Sequence, residues 1–496
     1  MAFPKPSASG LSRQLGLLGL VSTGVCSMMG ASIYVVPFMI QRNVPGIGPY
    51  VVPAFVFAAV PALLAAAAFA SLSSAMPRAG GSYIYASRGL SPYLGFVASF
   101  SQWFGLSFVI GVIAYIIVPF FRDIAIALNG HSLANTLSNG TVRTSIALVL
   151  VWTFIWINIR GIKTYERIVV PLMVLMFTIG LIVIVAGFTY TQEDFVTAAQ
   201  SAGHQIGLNP EVPFSWPIFL AASSILFSSF IGFDSIAQAG GEARYPSRLL
   251  PDAIGISILV VSTFYFLFTS AVYNLVPWGF IASQAQQQDI TAPGLMSYML
   301  SPGWTTIIIA GAALALLNDL PAMLLSVSRL MFAWAEDGIF PKDIARVHKR
   351  YKTPHVALGF SGIIASLGVL GSHFAGDFFL GVDIMVTSMQ VTFLLMCITV
   401  LTLPHVNPPL ASKTKAFRSR KMQLLIGVLG TFTLLSFLAI HTIRDIRSEA
   451  TAWYYHPTYI WVIVMATGSV VYFLETKKLR RSGKDMKELF SQLPPE

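Results

Sequence analysis

Runs of roughly 18 to 25 apolar residues, each long enough to cross a bilayer, recur along this chain and restrict its fold more than any other feature. Hydrocarbon offers no hydrogen bonds, so each run must satisfy its own backbone, and an α-helix does that within one segment. Twelve such segments are predicted in the 496 residues, at 15–40, 49–76, 94–121, 144–159, 168–189, 215–240, 251–276, 304–335, 355–372, 379–403, 424–443 and 459–474. The fourth, ninth and twelfth are short and borrow flanking residues. Only 10% of the residues are charged and 55% are hydrophobic, whereas soluble domains carry about 25% charged residues. An ordinary water-soluble enzyme and a disordered chain are excluded together. Both cysteines, Cys26 and Cys397, fall inside apolar runs and read as small buried hydrophobes, not as a disulfide framework. The fold class expected is an all-α membrane protein with twelve transmembrane helices.

Charge placement gives the orientation. The start, MAFPKPSASGLSRQLG, lacks the short apolar core and cleavage site of a secretory leader, so the first run is expected to remain as a span. With twelve spans both ends lie on one side, and nearly all basic residues gather there. They include Lys5, Arg13, Arg78, Arg88, Arg160, Lys163, Arg167, Arg244, Arg248, the clusters in 342–352 and 413–421, and the tail 477–487. Only Arg42, Arg122, Arg143, Arg444 and Arg447 fall opposite, with Arg329 near the inner end of span eight. The positive-inside rule makes that side cytoplasmic, in a plasma membrane or a bacterial inner membrane. A net charge of +10 is then topology and attraction to lipid headgroups, not nucleic-acid binding.

Two spans are poor helices. Span one, LGLLGLVSTGVCSMMGASIYVVPFMI, gathers Ser27, Gly30, Ala31 and Ser32 near its middle. Span six, WPIFLAASSILFSSFIGFDSIAQAGG, gathers Ser228, Ser229, Gly232 and Asp234. Irregular backbone at membrane depth is tolerated where it lines a cavity, and an intramembrane carboxylate points the same way. The breaks lie five spans apart. Five is odd, so a second group of five enters the membrane inverted relative to the first. Interrupted segments in matching positions of inverted halves mark the binding site of a secondary transporter. The expected organisation is a cytoplasmic start 1–14, a first repeat 15–189, an outer loop 190–214, a second repeat 215–403, two further spans in 404–474, and a basic cytoplasmic tail 475–496.

At these residues the sequence resembles the amino acid–polyamine–organocation family of amino-acid permeases, which share the LeuT-type five-plus-five inverted repeat with helices one and six unwound. The resemblance rests on MMGASIYVVP in span one and AMPRAGGSYIYASRGLSPYLGF after span two. It also rests on FIGFDS leading into GGEARYPSRLLPDAI, and on SRLMFAWAEDGIFP after span eight. It implies that a substrate carboxylate meets backbone amides at Gly30, Ala31 and Ser32. The amino group would meet carbonyls around Ser27, Met28, Phe230 and Ile231, with Gly232, Phe233 and Met323 also at the site. Three departures stand out. Ser32 replaces the second glycine of the family's motif. Ser228 replaces its gating aromatic, leaving Phe227 or Phe233 as candidate lids. Met176 stands where several proton-linked relatives carry a lysine.

Span eight, ALALLNDLPAMLLSVSR, places Asp319, Met323 and Ser326 on one helical face. Asp319, Asp234 and Ser326 are the candidates for coupling to a proton or sodium ion. Asp383 is the remaining acidic residue expected within the spans, and Gln102 reads as a helix-contact hydrogen bonder. The eight histidines form no HExxH or similar cluster and no P-loop is present, so neither a metal, an organic cofactor nor ATP is called for. The expected function is a non-enzymatic permease, a symporter or exchanger, that moves a small amino acid or related organic cation by alternating access. A non-transporting sensor or partner subunit on the same fold is the alternative. An intramembrane enzyme would need a convergent catalytic set, and none is found.

Overall fold

The computed structural model describes residues 13–494 except 129, 205, 207–208, 288, 376–377, 450–451 and 484. The segment 1–12, with Lys5, and Lys484 lie outside the described residues. Helices dominate: α1 (Leu17–Met28), α2 (Ala31–Tyr34), α3 (Val36–Asn43), α4 (Val51–Ala75), α5 (Gly81–Gly89), α6 (Pro92–Ala127), α7 (His131–Ser138) and α8 (Gly140–Ile159). After them come α9 (Ile162–Thr189), α10 (Gln192–Ser201), α11 (Trp216–Leu226), α12 (Asp234–Gln238), α13 (Pro246–Leu275), α14 (Trp278–Gln287) and α15 (Ala292–Met296). The remainder are α16 (Pro302–Asp337), α17 (His355–Ala375), α18 (Phe379–Val406), α19 (Pro408–Ala411), α20 (Arg420–Ile446), α21 (Pro457–Arg481) and α22 (Met486–Ser491). No β-strand occurs among the described residues, only the isolated bridges Leu15–Ala243 and Ala79–Ala239.

Among the described residues, ten helices are long and apolar enough to span a membrane, and two further apolar helices, Leu17–Met28 and Trp216–Phe230, are shorter. Those two are the segments whose Gly and Ser clusters predict a break. The core forms around α6, against which α16, α18, α17 and α5 all pack. α6 and α16 are accordingly the most enclosed of the spans, whereas α8, α20 and α21 turn most of their surface outward. Apolar side chains such as Val149, Trp156, Phe432 and Phe473 are exposed there, as expected of helices whose outer solvent is lipid. Both cysteines are buried and unpaired.

The acidic residues depart from expectation in one respect. Glu242, Asp337 and Asp445 are buried as well as Asp234 and Asp319. Arg88 grips Asp337 with both guanidinium nitrogens, at 2.6 and 2.9 Å, while Tyr83 Oη donates to Asp337 Oδ2 at 2.7 Å. Arg329 pairs with Glu242 in the same two-pronged way. Arg88, counted in the sequence as a mark of orientation, and Arg329, placed near the inner end of span eight, are thus enclosed in ion pairs; each carboxylate comes from a different element, and adjacency in the chain gives no hint of it.

A candidate substrate and coupling site between two helix breaks

The first break follows α1. Met29 turns extended (φ −93°, ψ 104°), and the chain resumes helix only at Ala31. The Met28 carbonyl has lost its helical partner and accepts the hydroxyl of Tyr265 from α13. The second break follows α11. A 3-10 turn over Phe227–Phe230 gives way to extended Ile231, then Gly232 with φ +140°, before α12 begins at Asp234. A Cβ on Gly232 would stand 2.3 Å from the Ser27 carbonyl oxygen. Glycine is therefore required both for the dihedral and for the contact between the breaks. Two more bonds tie them: the Ser27 and Ser235 hydroxyls lie 2.9 Å apart, and Ser229 Oγ donates to the Ser32 carbonyl at 3.1 Å.

The two central carboxylates live differently. Asp234 Oδ1 accepts the Gly232 N–H at 3.1 Å, and Oδ2 accepts from Gln102 Nε2. Gln102 Oε1 in turn receives Ser82 Oγ at 2.5 Å and Gln238 Nε2 at 3.1 Å. This buried network is well supplied with donors, and it fixes the start of α12 against α6.

Asp319, in contrast, sits on α16 with its carboxylate pressed against Gly30. A Cβ on Gly30 would fall 1.8 Å from Asp319 Oδ2. The residue is 2% exposed, and among the described residues Oδ1 has no hydrogen-bond partner. Its neighbour Asn318 Nδ2 donates to Cys26 Sγ at 2.8 Å, fixing α16 to α1. Pro321 removes the N–H that would have bonded the Leu317 carbonyl, loosening the helix at this level.

Asp319 and Met323 border a cavity of about 30 Å³, together with Ser32, Ser228 and Ile231 from the breaks. The rest of its wall is apolar: Val36 on α3, Val109, Val112, Ile113 and Ile116 on α6, and Phe378, Val382 and Met385 at α18. The space holds a water molecule or so. Among the described residues, Asp319 is the only charged one on that wall.

Of the residues picked from sequence, the structure therefore brings Ser32, Ser228, Ile231, Asp319 and Met323 to one cavity. Ser27, Met28, Gly30 and Gly232 form the junction behind it, and Ala31 contributes helix backbone. Phe230 packs on Phe55 and Tyr265, with ring centres 5.2 and 5.8 Å away. Phe227 and Phe233 both pack on Phe393, at 5.9 and 5.0 Å. Ser326 is buried two turns from Asp319, and among the described residues its hydroxyl has no partner. Met176 is buried on α9. Sequence reasoning missed Tyr265 and the α6 quartet. The quartet has the spacing of a helix face, yet in a helix apolar all round that spacing carries no contrast.

Away from this cavity, the bundle end holding Arg88, Arg329, Glu242 and Asp337 is closed by backbone. Gln14 and Leu15 N–H groups donate to the Glu242 carbonyl at 2.8 and 2.9 Å, and Arg244 N–H donates to Leu15 at 3.0 Å. The segment 486–494 lies over the same end. Arg88 Nε donates to the Gln492 carbonyl (3.2 Å), Arg78 Nε to Pro494 (3.2 Å) and Asn407 Nδ2 to Ser491 (3.0 Å). The Phe490 ring stacks 4.9 Å from the Arg88 guanidinium.

Comparison with known proteins gives the family. The chain is 25% identical over 477 residues to the branched-chain amino acid permease BcaP of Bacillus subtilis (strain 168), covering 94% of each. It is 27% identical over 422 residues to cationic amino acid transporter 4 of Mus musculus, covering 80% of this chain and 61% of that protein. It is also 24% identical over 366 residues to the methylthioribose transporter of Bacillus subtilis, covering 73% of this chain and 75% of the relative. The family model described as amino acid permease matches residues 15–466. This multi-pass membrane protein belongs to the amino acid permease family.

Proposed function

We propose that the chain is a secondary active transporter that carries a small neutral amino acid with an aliphatic side chain, together with a proton. The single observation behind this reading is the placement of Asp319: a buried carboxylate, one oxygen unpartnered, held against Gly30 on the wall of an otherwise apolar cavity. A substrate carboxylate bound by the amides of Gly30, Ala31 and Ser32 would share that spot with Asp319. Two like charges at such a distance repel strongly away from water. A proton on Asp319 removes the repulsion, so substrate and proton enter together and leave together. The substrate ammonium would meet the carbonyls exposed by the breaks, near Ser27 and Phe230, and Ser228 supplies a hydroxyl. The valines and isoleucines of α6, with Met323 and Met385, then form an aliphatic pocket for the side chain, in line with the branched-chain permease among the relatives.

The chain would cross the membrane twelve times, α1–α3 and α11–α12 being its two interrupted passages, with five-plus-five inverted repeats at 15–189 and 215–403. Both ends, and the bundle end holding Arg88 and Asp337, would face the cytoplasm. Closure of that end by the two buried ion pairs, with the cavity on the other side of Gly30, corresponds to one extreme of alternating access. Binding requires the cavity to widen, since about 30 Å³ is too small for an amino acid. Asp234, held by Gln102 and the Gly232 amide, would set the angle of the α11–α12 break, and Phe227 and Phe233 would move with it as the lid.

Uptake by reconstituted protein tests the reading. A panel of amino acids and amines, at two pH values with and without sodium, is expected to show proton-dependent, sodium-independent uptake of aliphatic amino acids. In Asp319→Asn the uptake should lose its pH dependence while exchange of substrate across the membrane persists. An Asp319→Asn protein with unaltered pH dependence overturns the coupling role.

A further inference from the structure

The last turn of α4 with Pro77 and Arg78 after it, the first turn of α13, the connection between α19 and α20, and Leu493 line a second, open cavity of about 630 Å³. Four cations line it, Arg78, Lys413, Lys415 and Arg418, and no carboxylate lies on its described wall. Lys415 Nζ reaches the Ser247 hydroxyl at 3.3 Å, at the start of the 30-residue helix α13, whose N-terminal end adds positive potential.

The loop that supplies three of these cations is held in shape. Buried Ser74 Oγ accepts two successive amides, from Lys415 at 3.0 Å and Ala416 at 3.2 Å. Next in the chain, Phe417 takes φ +53°, a left-handed conformation that a bulky side chain keeps only where its surroundings impose it. Such outliers cluster at sites that bind. Phe417 is also 39% exposed, an aromatic ring turned outward beside the cations.

The height of the cavity is set by its walls. α4 ends at Ala75, α13 begins at Pro246 and α20 begins at Arg420, so three apolar spans stop at its rim. That is the level at which hydrocarbon gives way to headgroups. We propose that this cavity is a binding site for the phosphate of an anionic phospholipid, with Phe417 at the boundary between glycerol and acyl chain. A phosphodiester is what the site suits: several separate cations, hydroxyls as additional donors, and a ring at the interface.

The test uses the full chain in detergent, with bound lipid counted by native mass spectrometry during titration with phosphatidylglycerol or phosphatidylcholine. Phosphatidylglycerol should bind more tightly than phosphatidylcholine. The triple variant K413Q/K415Q/R418Q should weaken it by roughly tenfold to a hundredfold, given what one interfacial cation contributes. The matched triple K342Q/K349Q/R350Q, which removes the same charge from an exposed loop outside the cavity, should change it less than about twofold. Equal losses in both triples, or equal affinity of the two lipids for the unaltered protein, overturn the proposal. Inorganic phosphate that blocks phosphatidylglycerol at equal concentration would make the ligand a soluble anion, and the lipid assignment would fall. Should the first triple fail to fold, K415Q against K342Q reads the same contrast at about fivefold.

Discussion

At Gly30 and Gly232 a single hydrogen in place of a side chain decides whether the two helix breaks can meet. Gly30→Ala puts a methyl group where Asp319 Oδ2 lies, and Gly232→Ala forces both a disfavoured dihedral and a clash with the Ser27 carbonyl. Both variants are expected to abolish uptake in proteoliposomes. Gly30→Ala should do so with modest loss of thermal stability, because the Asp319 carboxylate can swing into the cavity beside it. Gly232→Ala should also unfold earlier, since backbone cannot yield as a side chain does. A Gly30→Ala protein that transports normally would show that Asp319 does not need its present position. These residues were legible in sequence because Gly, Ser and Asp stand out in an apolar run. Tyr265 was not, as nothing in α13 marks the one tyrosine whose hydroxyl caps Met28.

The membrane-length helices follow almost directly from the apolar runs, and the two shorter apolar helices, Leu17–Met28 and Trp216–Phe230, fall where Gly and Ser interrupt the pattern. What the runs do not reveal is pairing between elements. α5 carries Arg88 and the last turn of α16 carries Asp337, separated by 249 residues and joined in an enclosed bidentate bond. Removing one partner leaves an uncompensated buried charge, a loss of about 3 to 5 kcal/mol. Asp337→Asn should therefore lower the thermal unfolding midpoint of the purified protein by many degrees. Asp343→Asn, which breaks the exposed Arg346 pair on a nearby loop, should leave it unmoved. Equal midpoints for the two variants would mean that the Arg88 pair is wet in solution. If that end of the bundle is an inner gate, Asp337→Asn should also raise substrate efflux relative to uptake, read in preloaded vesicles.

For the molecule as a whole, the proposed orientation rests on where charges fall and not on what they touch. The buried native cysteines make it measurable, because a membrane-impermeant maleimide should find neither Cys26 nor Cys397. Lys477→Cys should be labelled in cells only after permeabilisation, and Ser201→Cys in intact cells; the reverse pattern would invert the topology proposed above. Substrate choice is much less legible, because the aliphatic wall of the cavity comes from helices that are apolar on every side. One arrangement at this scale bears on how the protein is made. The ribosome delivers residues 486–494 after every element they touch, yet this segment supplies the Phe490 ring and the Gln492 carbonyl that complete the enclosure of Arg88. During biosynthesis the Arg88–Asp337 closure thus acquires its last layer only once the elements it joins have been made. Until then that end of the nascent bundle lacks part of its cover.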